Sequence, residues 1–394
     1  MKRPFGLPVL AGLMILAACG GGAATNTPAS NLPQSIGAGE GKLNLIAWTG
    51  YVESGKSDPK VDWVTPFQNQ TGCTINVKFA DTSDEMVTLM RQGGGTVWDG
   101  VSASGDATNR LIAHGDVAEV NVNLIPDFKD VIASLKAPKH NTINGHHYGV
   151  PYMYGANVLM YNTQKVTPAP TSWDITWETS SPYKGKIAAY DSPIFIADAA
   201  LYLKAHRPDL KITDVYELTS TQLDAAINLL KQQKPMIKKY WAATTDETDP
   251  FSSGDMVVGT AWPYQVSFLK SENKPVAAIV PSEGATGWAD TWMMSSHAVH
   301  PNCMYLWMKW TEQPSIQDQV AEFYGATPSN AKACDLLRTH IGASADADYH
   351  CGDDAFLKNI ALWKTPLQQC GDSRGNTCTD YSVWAQRWQE VRGQ

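Results

Sequence analysis

The sequence has little of what nucleic-acid binding or membrane spanning requires. Only 18% of its 394 residues are charged, and 31 basic residues face 39 acidic ones, which gives a formal net charge of −8. A surface that neutralises phosphates needs an excess of Lys and Arg, so this balance argues against a nucleic-acid partner. Beyond the first nineteen residues, no apolar run approaches the ~18 residues that span a bilayer.

The sequence also lacks the common motifs of hydrolytic and metal-dependent enzymes. It contains no His-Glu-x-x-His motif, no Gly-x-Ser-x-Gly nucleophile elbow and no Cys-x-x-Cys pair. The His pairs at 146–147 and 297–300 have no acidic ligand at a suitable spacing. We therefore expect no enzyme activity, no metal and no cofactor. A lipid-anchored hydrolase stays open as an alternative, because a pair of carboxylates can be assembled by the fold alone.

Aromatic residues, in contrast, are abundant. The chain has 14 Trp and 15 Tyr, and 43% of its residues are hydrophobic. This apolar fraction is typical of a globular protein, and at about 100–200 residues per domain the length predicts two or three folding units. The number of indoles exceeds what a core requires, and binding pockets are a common use for them.

The first twenty residues predict export. Lys2 and Arg3 precede the apolar stretch Phe5–Ala17, as in a signal peptide. The segment Leu16-Ala17-Ala18-Cys19-Gly20 resembles the bacterial lipobox, which implies cleavage before Cys19 and lipidation of that residue. An ordinary export signal with an incidental Cys is the alternative. We expect an extracytoplasmic protein that meets the membrane only through its lipid anchor; the envelope type stays open.

Six cysteines remain after Cys19, and an even number in an exported chain predicts disulfide bonds. Six cysteines allow fifteen connectivities, and the sequence does not choose among them. Cys370 and Cys378 flank a short polar loop and are placed to close it. Cys334–Cys351 is then plausible, which leaves Cys73–Cys303 as a long-range link.

Strand and helix patterns alternate from Leu43 onward, which predicts α/β units on a largely parallel sheet. Gly149–Asn162 is apolar, aromatic and without a helical period, so we predict a strand that crosses into a second unit near Gly155. A strand over Trp288–Ser295 leads back. Two α/β lobes joined by crossing strands predict a cleft between them, and such clefts are favoured ligand sites.

Five short motifs, in order along the chain, resemble those of the spermidine/putrescine-binding proteins. That family consists of extracytoplasmic solute receptors of ABC importers, and the resemblance runs from about residue 43 to 330. The motifs are Ala47-Trp48-Thr49-Gly50-Tyr51-Val52, Tyr183-Lys184-Gly185, Thr260-Ala261-Trp262, Gly287-Trp288-Ala289-Asp290 and Gly325-Ala326-Thr327-Pro328.

The resemblance implies a two-lobe periplasmic-binding-protein fold that closes on a small cationic amine and presents it to a permease and its ATPase. A chemosensory partner is an alternative. We expect a monomer. The implied organisation is a signal peptide (1–18), a flexible tether (19–41), the first part of lobe 1 (42–153), lobe 2 (154–284), a return to lobe 1 (285–330) and a C-terminal extension docked on the lobes (331–394).

The resemblance also implies the ligand contacts. Asp290 would bind the ammonium group, Trp262 and Trp288 would form aromatic walls, and Trp48 and Tyr51 would contribute from the first loop. The remaining candidates are polar residues at the starts of helices and after strands, namely Ser104, Asp106 and Ser192.

The sequence departs from the family where the second lobe grips a polyamine. An Asp-x-x-Glu pair expected there falls on Ser192 and Phe195, an acid in the first loop falls on Gly50, and an aromatic falls on Ala326. Asp290 is then the one secure acid. The ligand class stays open between putrescine or spermidine and a mono-ammonium or zwitterionic amine such as 4-aminobutyrate.

Two further acids leave this choice undecided. Asp106 occupies a position that is usually aromatic in the family, and Asp191 lies one residue before Ser192. The sequence does not tell whether either carboxylate faces the cleft.

Overall fold

A computed structural model describes residues 32–56, 58–342 and 344–393. The predicted signal peptide, Cys19 and the first part of the predicted tether lie outside the described residues. In the described part, no helix combines the length and the apolar character that a bilayer crossing requires.

The described chain alternates between strands and helices through most of its length. The strands are β1 Lys42–Ala47, β2 Thr74–Phe79, β3 Gly100–Ala103, β4 Thr142–Ile143, β5 His146–His147, β6 Val150–Ala156, β7 Val158–Asn162, β8 Ile187–Tyr190, β9 Ile237–Trp241, β10 Val258–Ala261, β11 Val276–Ile279, β12 Ala285–Met294, β13 Thr327–Pro328 and β14 Ile360–Leu362. The helices are α1 Val64–Thr71, α2 Ser83–Met90, α3 Gly105–His114, α4 Ala133–Lys136, α5 Asp174–Trp177, α6 Ile196–His206, α7 Ser220–Gln233, α8 Thr245–Ser253, α9 Pro263–Ser271, α10 Pro301–Thr311, α11 Pro314–Tyr324, α12 Ala331–Ile341, α13 Ser344–Tyr349, α14 Asp354–Lys358 and α15 Tyr381–Arg392.

Two mixed sheets organise the fold. The larger, seven-stranded sheet has the order β13-β6-β12-β3-β1-β2, with β14 beside β12, and the smaller, five-stranded sheet has the order β11-β7-β10-β8-β9. β1 is parallel to β2 and β3, and β8 is parallel to β9 and β10. The prediction of a largely parallel sheet was therefore only half right. β12 runs antiparallel to β3 and β6, and β7 runs antiparallel to β10 and β11.

The strands at the centre of the larger sheet are apolar for a physical reason. Every residue of β6 and β12 is buried. Strands covered on both faces read as near-continuous apolar runs without an alternating pattern, and β6 shows this pattern, while Thr286, Asp290 and Thr291 interrupt it in β12.

The crossing between sheets occurs where the sequence predicts it. β6 belongs to the larger sheet and β7 to the smaller one, and Asn157 alone separates them. Asn157 donates from its backbone N–H to the Thr286 carbonyl oxygen at 2.8 Å, and its side-chain amide donates to Thr286 Oγ1 at 2.6 Å. The outgoing and returning strands are thus bonded at the crossing point. The molecule has the predicted two-lobe periplasmic-binding-protein architecture; the limits of each lobe remain a prediction.

Three disulfide bonds cross-link the described chain, and they are the pairs that the sequence favoured. Cys73–Cys303 joins positions 230 residues apart, while Cys334–Cys351 and Cys370–Cys378 close segments of 17 and 8 residues. The first bond joins the residue just before β2 to α10, and the other two lie in the C-terminal extension.

Candidate functional site

A small cavity lies between the two sheets. Its free volume is about 10 Å³, and each residue that lines it is at most 6% exposed. This is far below the roughly 300–1,000 Å³ of pockets for drug-sized ligands and leaves space for about one water molecule, so a ligand can enter only when the walls move apart. Its described lining residues are Trp48, Ser104, Trp262, Trp288, Asp290, Tyr324 and Trp363.

Most of these residues stand where strands end. Trp48, Ser104, Trp262 and Trp363 each follow directly the last residue of a strand, namely β1, β3, β10 and β14. In α/β sheets, the crevice outside the carboxyl ends of the strands is the usual place for a ligand. Side chains from the strand ends of both sheets therefore meet at the cavity.

Asp290 is the centre of a buried hydrogen-bond network. The Tyr51 hydroxyl donates to Asp290 Oδ2 at 2.7 Å, and the Ser104 hydroxyl donates to Oδ1. Burial raises the pKa of Asp290 to about 7, against these two hydrogen bonds, which act to lower it. The nearby Asp106 carboxylate raises the pKa further by charge repulsion. A buried carboxylate of this kind gains from a positively charged partner.

Local backbone features orient the side chains of Asp290 and Ser104. The pairing of β12 with β6 shifts register between Ala289 and Thr291, so Asp290 sits at an irregularity of the kind that redirects a side chain. Ser104 precedes α3 as its N-terminal cap residue but makes no side-chain capping bond, because its hydroxyl bonds Asp290 instead.

Gly105 allows the C-terminal segment to approach the cavity. A Cβ atom at this position would lie 1.9 Å from the Trp363 carbonyl oxygen, which no side chain can accept. Glycine is therefore required where the residue after β14 packs against the start of α3.

Aromatic rings form the cavity walls. Trp48 and Trp262 meet edge to face with centroids 5.5 Å apart, and Trp288 meets Tyr324 in the same way at 5.7 Å. Behind the cavity, Tyr190 contacts Trp262 at 5.3 Å and stacks on Trp363 at 5.9 Å with an interplanar angle of 10°. These contacts hold the indoles in fixed orientations around a carboxylate.

Two surface grooves are larger than this cavity and are open to solvent. One, of about 390 Å³, runs past Trp63, Phe268 and Phe323, and the other, of about 640 Å³, runs past Lys204 and Asp214. Neither lining brings a buried carboxylate between aromatic rings. The cavity around Asp290 therefore remains the candidate site.

A comparison with known families decides the class of protein. The family model for the bacterial extracellular solute-binding proteins matches residues 62–346. The chain belongs to this family.

Relatives of this solute-binding protein include two curated bacterial proteins. It is 24% identical over 325 residues to the putrescine/agmatine-binding protein of Pseudomonas aeruginosa, which covers 78% of this chain and 83% of the relative. It is 22% identical over 310 residues to spermidine/putrescine-binding periplasmic protein 1 of Haemophilus influenzae, with 78% and 81% covered.

Solved structures share its fold. The spermidine/putrescine substrate-binding protein PotD of Streptococcus pneumoniae superposes with a TM-score of 0.67 at 19% identity, over 90% of this chain and 98% of that one. A lipoprotein of Treponema pallidum superposes with a TM-score of 0.70 at 15% identity, over 90% and 100%.

Five of the eight predicted ligand contacts line the cavity of this solute-binding protein, and three do not. Tyr51 does not line the cavity, but its hydroxyl donates a hydrogen bond to Asp290. Asp106 accepts a hydrogen bond from the Ser83 hydroxyl at 2.8 Å and is fully buried, with a pKa that burial raises to about 6. Ser192 is buried, and its hydroxyl has no hydrogen-bond partner among the described residues.

The acid beside Ser192 is directed elsewhere. Asp191 pairs with Arg392 at 3.1 Å and accepts from the indole nitrogen of Trp388 at 3.2 Å, so α15 holds its carboxylate. Phe195, at the position of the expected Glu, stacks on Trp177 at 5.6 Å. The smaller sheet therefore brings no carboxylate to the described lining of the cavity.

Sequence reasoning missed two lining residues. Tyr324 ends α11 and supplies the aromatic ring that was expected at Ala326, two residues later in the chain. Trp363 belongs to the C-terminal extension, beyond the stretch that resembles the family. The only signal for Trp363 in the sequence is its place at the end of an apolar segment, before Lys364-Thr365-Pro366. That signal does not distinguish a residue that lines a cavity from one that packs in the core.

Proposed function

We propose that this protein is the substrate-binding lipoprotein of an ABC importer, and that it captures a small cationic amine of the putrescine and spermidine class. The observation that carries this proposal is Asp290, a carboxylate buried between aromatic rings where the two sheets meet. In the proposal, Cys19 anchors the chain, the protein acts as a monomer outside the cytoplasm, and a permease with its ATPase receives the ligand.

The chemistry of the cavity fits an ammonium group. Burying an unpaired ammonium costs several kcal/mol, so a binding site must supply a carboxylate. An ammonium over an indole face gains about 0.5–2 kcal/mol more by cation–π attraction. Asp290 supplies the first interaction, and Trp48, Trp262 and Trp288 are placed to supply the second.

The names of the relatives support the same ligand class. The proteins of Pseudomonas aeruginosa and Haemophilus influenzae are named for binding putrescine, agmatine or spermidine. Their identity to this chain is low, so their names support an amine ligand more firmly than any one amine.

Ligand binding would close the lobes by bending at the crossing strands, near Tyr152–Asn157 and Ala285–Asp290. The cavity takes side chains from both sheets, so a ligand contacts both only when they are close. The ligand then favours the closed state by its greater affinity for that state.

A second candidate, a receptor for an amine with one ammonium group or for a zwitterion such as 4-aminobutyrate, is favoured by one observation. Asp290 is the one carboxylate among the described residues that line the cavity. A dication would have one ammonium without a carboxylate there.

Tryptophan fluorescence of the detergent-purified full chain tests the proposal. Putrescine, spermidine, choline and 4-aminobutyrate are titrated, since indoles that line a closing cavity report directly. Saturation by one of them at micromolar concentration, roughly −8 kcal/mol, is the expected result. Absence of any saturation, checked by calorimetry, would contradict the proposal, and turnover of a substrate panel would instead favour the hydrolase.

A further inference from the structure

The charge balance of the cavity restricts the charge of its ligand. Among the described residues that line it, Asp290 is the one acid, and none is Lys or Arg. A buried charge needs a counter-charge, so a ligand with a single positive charge leaves the site neutral. A dication would keep one ammonium unpaired, and a zwitterion would keep its own carboxylate unpaired.

The hydrogen-bond balance restricts the rest of the ligand. Both oxygens of Asp290 already accept hydrogen bonds, from Tyr51 and from Ser104. The indole N–H groups of Trp48, Trp288 and Trp363 are buried and have no acceptor within hydrogen-bond geometry among the described residues. That of Trp48 acts on Asp290, whose pKa it lowers, so the N–H groups of Trp288 and Trp363 are the two left for a ligand. Because buried polar groups in native proteins are nearly always paired, a ligand that brings an acceptor completes this lining.

We infer that the ligand is a monocation that carries one uncharged hydrogen-bond acceptor, which is the chemistry of a short amino alcohol. Its ammonium lies against Asp290, among the rings of Trp48 and Trp262, and its oxygen accepts from the indole N–H of Trp363 or Trp288. The inference rests on the proposed function, because it takes the cavity to be an amine site, and it replaces the second ammonium of a diamine with an uncharged group.

Four ligands with the same four-carbon chain test this inference. Butylamine, 4-aminobutanol, putrescine and 4-aminobutyrate share one ammonium end and differ at the other, which is a methyl, a hydroxyl, an ammonium or a carboxylate. Calorimetry uses the full chain in detergent at about pH 8. We expect 4-aminobutanol to bind at least tenfold more tightly than putrescine and 4-aminobutyrate, whose far-end charge would be buried unpaired. It should bind roughly threefold to tenfold more tightly than butylamine, which brings no acceptor.

The outcomes separate the inference from the proposed function. Tighter binding of putrescine or 4-aminobutyrate than of 4-aminobutanol would overturn the inference and leave an amine receptor standing. Equal binding of butylamine and 4-aminobutanol would overturn the claim that the ligand carries a hydrogen-bond acceptor. Failure of all four to bind would defeat both proposals.

Single substitutions locate the donor. Trp363→Phe and Trp288→Phe each keep an aromatic ring but remove one N–H, and one of them should reduce the preference for 4-aminobutanol over butylamine to less than twofold. The readout is the ratio of the two dissociation constants, because general damage to the cavity weakens both ligands alike. A preference that survives in both variants would overturn the assignment of the acceptor to these indoles.

Trp292→Phe is the matched control. The Trp292 N–H is also buried without a partner, and the residue lies on the same strand as Trp288, but it is not among the residues that line the cavity. The preference for 4-aminobutanol should be unchanged in this variant.

Discussion

The two sheets contribute different chemistry to the cavity. On the larger-sheet side, Asp290 accepts hydrogen bonds from Ser104 and Tyr51 and supplies a buried carboxylate. On the smaller-sheet side, Trp262 supplies an aromatic face, with Tyr190 behind it. The acid that follows Tyr190 in the chain, Asp191, is paired with Arg392. Charge recognition is therefore concentrated on one side, and the other side adds apolar surface.

This asymmetry separates two contributions to affinity. A carboxylate that stays in place on one side can attract an ammonium before the sides meet. The aromatic surface of the other side contributes only once it covers the ligand. Each side can therefore be weakened separately, and the resulting losses should differ in size and in pH dependence.

Removing the charge on the larger-sheet side should have the largest effect. Asp290→Asn keeps the size of the side chain, and we expect amine binding to weaken at least tenfold, on the order of 1.4 kcal/mol, because the ammonium loses its counter-charge. Calorimetric titration of the best amine measures the loss. Asp106→Asn, titrated at about pH 8 where Asp290 is largely ionised with or without its repulsion, is the matched control, since Asp106 is equally buried but does not line the cavity. An unchanged titration of Asp290→Asn would contradict the site.

Lowering the pH should reproduce part of that effect. Burial raises the pKa of Asp290 to about 7, so the carboxyl of the free protein takes up a proton as the pH falls through this value. A cationic amine binds the ionised form, and the affinity should fall about tenfold between about pH 8 and about pH 6. Calorimetry at several pH values measures this fall. Asp290→Asn should bind weakly and with little dependence on pH over this range; an equally steep fall in that variant would assign the proton to another group.

Removing the aromatic face on the smaller-sheet side should cost less. Trp262→Ala deletes one indole, and cation–π attraction of roughly 1 kcal/mol corresponds to about fivefold in the dissociation constant. The loss should persist at both pH values, in contrast to the effect of Asp290. Trp262→Phe should recover part of it. Full affinity in Trp262→Ala would show that the smaller-sheet side does not face the ligand.

Neutralising Asp191 should have the smallest effect on binding. Its carboxylate is held by Arg392 and Trp388, so Asp191→Asn should change the amine dissociation constant less than twofold. The melting temperature should fall slightly, because a partly exposed ion pair contributes about 1 kcal/mol or less. A tenfold loss of affinity would instead place a second acid in the site and favour a diamine.

The sequence predicted the parts of the fold that have a local signal. The sequence of β2 (Thr74–Phe79) alternates between polar and apolar residues, and α10 (Pro301–Thr311) begins with Pro, and both are local features that a sequence reveals. β9 lacks such a signal. It is an edge strand in which Lys238 and Lys239 are exposed, so its polar residues hide the strand pattern.

The site was predictable where motifs exist and unpredictable where the topology alone brings residues together. Trp48, Trp262 and Asp290 lie in short recognisable motifs, and all three line the cavity. Trp363 follows a three-residue strand far along the chain, and only the pairing of β14 with β12 brings it there. The orientation of Asp191 depends on a helix that begins 190 residues later, which no local pattern reveals.

The position of Trp363 also sets an order in time. The chain is synthesised from its N-terminus, and Trp363 follows every other described lining residue, the last of which is Tyr324. Trp363 donates from its backbone N–H to the Gly287 carbonyl oxygen at 2.6 Å, so its place depends on a strand that must already be present. A chain released early, before residue 363, would carry Asp290 and its hydrogen-bond partners but an unfinished cavity. The cavity therefore lacks one wall in any chain that stops short of residue 363.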